Sequence, residues 1–208
     1  ISVKSKDPDL VGRMFTAKMI ELALANYPGF FTGGAVRSGG PVLVYWPALI
    51  DSKHIKETVH IDGKEIDVMP TNQLNLEETY YQKQPVEMPP PPSGETLNKP
   101  LGELFGARSG DKGGCANIGV WAKNQNAFSF LNNYLTIEKI KELMPDISEF
   151  KIDRYELPNI LSLNFYIHDI LEDGVSSNTR KDGQAKSLGE YLRAKYADIP
   201  KSLLEENI

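Results

Sequence analysis

The sequence predicts an α+β fold, a ββαββα sandwich over residues 100–208 preceded by part of a larger α/β domain over residues 1–69. Three observations lead there. Short runs rich in β-branched and aromatic residues bracket residues 101–122 and 150–170, helical spacing fills the interval between them, and a proline-rich stretch separates this region from what precedes it. Helices that collect on one sheet face in this order point to an α+β sandwich.

The elements follow in chain order. Asp7-Pro8 reads as an N-cap with proline in the first turn, and apolar residues at Val11, Met14, Phe15, Met19, Ile20, Leu22 and Leu24 predict a helix from about Pro8 to Ala25, stopped near Asn26 and Pro28. Gly33-Gly34 and Gly39-Gly40 lead into Val42-Leu43-Val44-Tyr45-Trp46, whose composition predicts a strand buried on both faces. Asp62-Gly63 lies between two short segments and suits a two-residue hairpin turn, because its second position tolerates positive φ. Periodicity then lapses over residues 70–99. Prolines gather there, with Pro89 to Pro92 unbroken, so the stretch is expected to be a linker. Beyond it, strands are expected over Leu101–Arg108 and Ala116–Ala122, helices over Ala127–Leu135 and Ile137–Met144, strands near Phe150–Glu156 and Ile160–Ile170, and a closing helix over Gln184–Tyr196.

Composition narrows the function. The formal charge is −5, from 23 basic and 28 acidic residues, and the basic residues are scattered instead of forming a run that would track a phosphate backbone. Nucleic acid is therefore not an expected partner. No apolar stretch reaches the roughly 20 residues of a membrane span, and no signal peptide is evident, so a cytoplasmic protein is expected. A single cysteine, Cys115, cannot form an internal disulfide. The first residue is Ile1, which suggests a fragment or a processed chain. Residues 1–69 offer too little for an independent core, so a missing N-terminal segment or another subunit is expected to complete them.

Chemistry concentrates between the first two strands of the second region. Gly106-Ala107-Arg108-Ser109-Gly110-Asp111-Lys112-Gly113-Gly114 places two cations, a carboxylate and a hydroxyl among four glycines. Glycines admit close approach of a ligand, and Arg108 and Lys112 supply charge, a combination suited to a carboxylate or a phosphate. Arg108, Ser109, Gly110, Gly113, Gly114 and Asn117 thus form the expected substrate-binding set for a small anionic molecule. Asp111 and Lys112 are the expected catalytic groups within it. The same residues equally suit a tight interstrand turn held by pairing of Asp111 with Arg108 or Lys112. The pattern is not a Walker phosphate loop, since Lys112 does not follow a glycine directly and neither serine nor threonine comes after it. Ser176-Ser177-Asn178-Thr179-Arg180 adds Arg180 as a further anion contact or, alternatively, a set of turn residues.

The histidines are His54, His60 and His168, and none has metal-ligand spacing to another ligand, so neither a metal nor a cofactor is expected. Alternation along Leu163–Ile170 puts Asn164, Tyr166 and His168 on one face, making His168 the expected general base or, alternatively, a structural histidine satisfied by its neighbours. A nucleophilic Cys115 would need a base within reach, and no histidine is near it in sequence.

The stretches Ala107–Gly114, Ala116–Ala122, Arg154–Asn159, Leu163-Asn164-Phe165 and Gly174-Val175 resemble the C-terminal domain of the acyclic terpene utilisation (AtuA) family. Residues Pro8–Ala48, with Tyr27-Pro28-Gly29-Phe30 and Val44-Tyr45-Trp46-Pro47-Ala48, resemble the end of that family's larger N-terminal domain. The resemblance implies a ferredoxin-like C-terminal domain and a role in catabolism of branched acyl-CoA compounds, with hydratase or lyase chemistry as the fitting step. Cys115 stands where a small polar residue such as Asn is expected in the family. A homo-oligomer is expected, and a non-catalytic assembly domain is the alternative function.

Overall fold

A computed structural model of the protein describes residues 2–25, 27–31, 39–68 and 86–205. Its contacts divide the chain into two units, Ile1–Tyr45 with Glu87–Ile208, and Trp46–Val86. Residues 69–85, most of the expected linker, lie outside the described residues, as do Gly33-Gly34 and Asn26.

In the first unit, Asp7 caps α1 (Pro8–Val11) by accepting the Asp9 N–H at 2.9 Å, as Asp before proline predicts. Gly12 interrupts the helix, which resumes as α2 (Arg13–Leu24). The expected strand at Val42–Trp46 does not form. Its side chains are 50–85% exposed, and no described strand pairs with it. A strand exists only with a hydrogen-bonding neighbour, so apolar composition without one leaves extended chain. In the second unit, β1 (Glu57–Ile61) and β2 (Lys64–Val68) form the predicted hairpin, with Asp62 at φ 49° and Gly63 at φ 71°.

The rest of the first unit holds the core. A two-stranded antiparallel sheet joins β3 (Thr96–Pro100) to the chain's last strand, and a four-stranded antiparallel sheet is built from β4 (Gly106–Lys112), β5 (Cys115–Trp121), β6 (Ile152–Leu157) and β7 (Ser162–Ile167) in the order β4-β5-β7-β6. Between β5 and β6 run α3 (Gln125–Tyr134), capped by the Asn124 side chain, and α4 (Ile137–Leu143), capped by Thr136. After β7 come α5 (Leu188–Arg193), β8 (Tyr196–Pro200) and α6 (Lys201–Glu205), with β8 pairing back onto β3. The fold is α+β in the predicted ββαββα order.

Register fixes two faces. Ala107, Ile118, Phe165 and their neighbours Ala116, Val120, Leu163 and Ile167 share one face, and all are buried with Phe128, Leu131, Ile140 and Met144. Each of the larger ones, Val, Leu, Ile, Phe and Met, contributes about 1.5–3 kcal/mol relative to exposure. The opposite face carries Arg108, Gly110 and Lys112 from β4, Cys115, Asn117, Gly119 and Trp121 from β5, Asn164 and Tyr166 from β7, and Asp153, Tyr155 and Leu157 from β6.

Two expectations need correction. The glycine stretch is not a loop: Gly106–Lys112 is strand β4, and the turn is only Gly113-Gly114. Strand geometry wins because every residue from Gly106 to Lys112 has a partner on β5, while Leu101–Glu103, expected as strand, is a single 3₁₀ turn. The closing helix is shorter than expected and is followed by β8. Ala197 and Ile199 alternate into the core there, and Pro200 ends the strand.

Candidate functional site

Three basic groups belong to the open face around β4. Alternation puts Arg108, Gly110 and Lys112 on the same side. Lys186, from the segment before α5, joins them. Its Nζ stands 2.9 Å from where a β-carbon on Gly110 would be, so the missing side chain is what admits the ammonium. Among the described residues neither Arg108 nor Lys186 has a side-chain hydrogen bond or ion pair. Lys112 donates only to the Asp111 carbonyl, at 3.0 Å. A cavity of about 240 Å³ is lined by Ala107, Arg108, Ser109, Lys186, Gly189 and Glu190. Glu190 is engaged by Arg193 at 2.8 Å.

Lys186 is placed by its own backbone. The Asp182 carboxylate accepts the Lys186 N–H and the Ser187 N–H, each at 2.9 Å, and the Ser187 hydroxyl at 2.6 Å. Burial alone would raise the Asp182 pKa, but these hydrogen bonds and the Arg180 charge outweigh it and hold the carboxyl below the usual aspartate range. Arg180 lies in the turn-rich segment between β7 and α5, where its charge acts on Asp182.

Across the face, Asn117 lies opposite Gly110 and donates its side-chain amide to Asn164 at 2.9 Å. Beyond it, His168 Nε2 meets Asp153 Oδ2 at 2.7 Å, and the ring sits edge-on to Tyr166 at 4.9 Å between centroids. The imidazole beside Asp153 holds that carboxyl below its usual range. Cys115 occupies the cross-strand position next to the Ala116–Ile167 pair, which brings it alongside the His168 end of β7. Its thiol accepts the Asp169 N–H at 3.4 Å and is hydrogen-bonded to Tyr166, whose phenol pKa is raised chiefly by that bond and then by desolvation.

The structure therefore gathers Arg108, Gly110, Lys112, Asn117 and His168 on one face. Ser109 and Asp111 belong to the other side of β4. Ser109 Oγ accepts the Gly189 N–H at 2.9 Å, which seats α5 on the strand, and Gly189 itself comes so close that a β-carbon would lie 3.2–3.3 Å from the Arg108 backbone. Asp111 lines a separate cavity of about 380 Å³ with Tyr45, Gly113, Asp173, Gly174, Val175 and Ser176. Gly113 takes φ 64° in the turn. Gly114 passes its carbonyl to the Leu171 N–H at 2.8 Å, and a β-carbon there would collide with the Glu172 carbonyl.

Sequence reasoning missed Lys186 and Asp153. An aspartate four residues ahead of Lys186 and just before a helix is a backbone-capping signal that could have marked the first. Asp153 becomes the partner of His168 only through the β6–β7 register, which no local pattern encodes.

Residues 99–197 match the family model described as the AtuA ferredoxin-like domain. No curated protein and no solved structure matches the chain.

Proposed function

Since residues 99–197 of this chain are an AtuA ferredoxin-like domain, we propose that it serves a catabolic protein acting on a small carboxylate or a branched acyl-CoA, whose anionic group is held on the open sheet face by Arg108, Lys112 and Lys186. The observation that carries this reading is that Arg108 and Lys186 line one cavity with no described carboxylate pairing either, and Lys112 shares the strand face of Arg108. Like charges held together repel, and an anion between them relieves that repulsion. Asn117 and Asn164 add an amide pair in the middle of the face, and His168, oriented by Asp153, supplies a base for proton abstraction next to a carbonyl. Addition or removal of water across such a bond is the reaction this arrangement suits. Asp111, on the other side of β4, takes no part in it.

Titration of citrate, phosphate and CoA into the wild-type chain and into Lys112→Ala and Arg108→Ala tests the reading. Each substitution should weaken binding by several-fold, since exposed charge pairs are worth about 1 kcal/mol or less and partly desolvated ones more. Equal affinities for all three proteins would sink it. Incubation with branched acyl-CoA esters, followed by mass spectrometry of the products, tests the chemistry.

A second reading, an assembly domain, is favoured by one observation. At the far end of the open face Trp121, Tyr155 and Leu157 are 41–52% exposed. Apolar side chains on a sheet face are what a subunit or a further segment of the parent protein would cover. Sedimentation of the chain with and without Trp121→Ser distinguishes a dimer built on this face from a monomer.

A further inference from the structure

Resting on the anion-binding reading above, we infer that the group held at β4 is a phosphoryl or pyrophosphoryl group and not a carboxylate. The reasoning concerns geometry and charge. Arg108 and Lys112 flank Gly110 on one strand, and Lys186 reaches the same glycine from a different segment. Arg108 and Lys186 thus line one cavity from two different segments, with Lys112 further along the same strand face. A carboxylate carries a single charge on two coplanar oxygens and can satisfy a guanidinium fork or one ammonium well. A phosphoryl group carries up to two charges and three oxygens around one centre, so it can receive the fork and both ammonium groups together. Nearby acids do not neutralise the cluster first: Glu190 is held by Arg193 at 2.8 Å, and Asp182 spends its oxygens on the Lys186 and Ser187 backbone and the Ser187 hydroxyl.

Arg108, Lys112 and Lys186 are exposed side chains, but the backbone that carries Lys186 is preorganised. A free lysine loses side-chain freedom when it binds a ligand. The Lys186 backbone is already clamped by Asp182, with Ala185 before it at φ 53°, and its ammonium already lies over the gap that Gly110 leaves. The missing β-carbon at Gly110 matters twice, because it admits the ammonium and leaves the strand surface low enough for a ligand to sit among the three cations.

Calorimetric titration of the full chain at fixed ionic strength, with inorganic pyrophosphate, CoA, citrate and acetate as probes, tests the inference. Pyrophosphate and CoA should bind at least about tenfold more tightly than citrate, and acetate more weakly still. Lys186→Ala should reduce pyrophosphate affinity about tenfold. Gly110→Ala should do nearly the same without removing any charge, because the new methyl meets only the flexible tip of Lys186 and displaces it. Lys99→Ala, which alters a cation outside the cluster, should change nothing, and thermal melts of each variant confirm that it is folded. Tighter binding of CoA than of pyrophosphate would assign the group to a nucleotide-bearing thioester, and equal binding to a free inorganic ligand; either supports the inference. Citrate matching or exceeding pyrophosphate, with the same sensitivity to Lys186→Ala, would overturn it and leave the anion-binding reading standing. Absence of binding by every probe would remove both.

Discussion

At Gly114, one hydrogen atom in place of a side chain holds two parts of the domain together. Its carbonyl ties the β4–β5 turn to Leu171, and the Glu172 carbonyl occupies the space a β-carbon would need. Since that obstacle is backbone, Gly114→Ala cannot be absorbed by a rotamer change and should destabilise the domain by about 1–3 kcal/mol, as overpacking does. Urea unfolding measures this, and an unchanged midpoint would show that the 169–174 turn yields. Arg108 and Asp111 show how much was legible at this scale. Both stand out in the sequence as charged groups among glycines, but the expected loop is a strand. The period-two alternation of β4 then sends Arg108 and Asp111 to opposite sides. Glycine content hid that alternation, because Gly106 and Gly110 carry no side chain to reveal a face. Lys186 escaped notice for a different reason: its importance lies in reaching Gly110 from a distant part of the chain.

Elements were easier to read than their partners. The helices between β5 and β6 were legible from apolar spacing, with the caps at Asn124 and Thr136 seen in the structure, and the Asp62-Gly63 hairpin follows from backbone freedom alone. The Val42–Trp46 segment failed as a strand because composition supplies a preference and never a neighbour. Strands β3 and β8 were missed because each ends in proline and neither is long, so only their mutual pairing defines them. The segment that leads into α5 has its own pH signature. Asp182 is held below the usual aspartate range, so its stabilising contribution is complete above that range and is lost as pH falls through the depressed value. Amide signals of Lys186 and Ser187 should therefore lose protection from hydrogen exchange in acid, before the sheet does. Asp182→Asn should show that loss already at neutral pH; protection that is the same in both proteins would mean that Asp182 does not hold the segment.

For the whole molecule, cohesion is uneven along the chain. Buried apolar side chains run from Leu101 to Leu203, whereas no residue of α1, α2 or the β1–β2 hairpin is buried. Limited proteolysis should cut first within residues 39–68, where Leu43, Tyr45, Trp46 and Leu49 stand exposed, and leave a resistant core that includes Leu101–Leu203. Equal resistance throughout would mean that another surface already covers the N-terminal portion.

Pairing of Thr96 with Pro200 brings the two ends of that core side by side. Chain therefore arrives and departs at one spot on the surface, on antiparallel neighbours about 5 Å apart, the spacing of any paired strands. Such a body can be inserted into a surface turn of a host protein without prying the host apart, since the host needs to open only by the width of one strand pair. Entry and exit on one strand pair is the arrangement that lets a domain sit inside another chain with little disturbance to either.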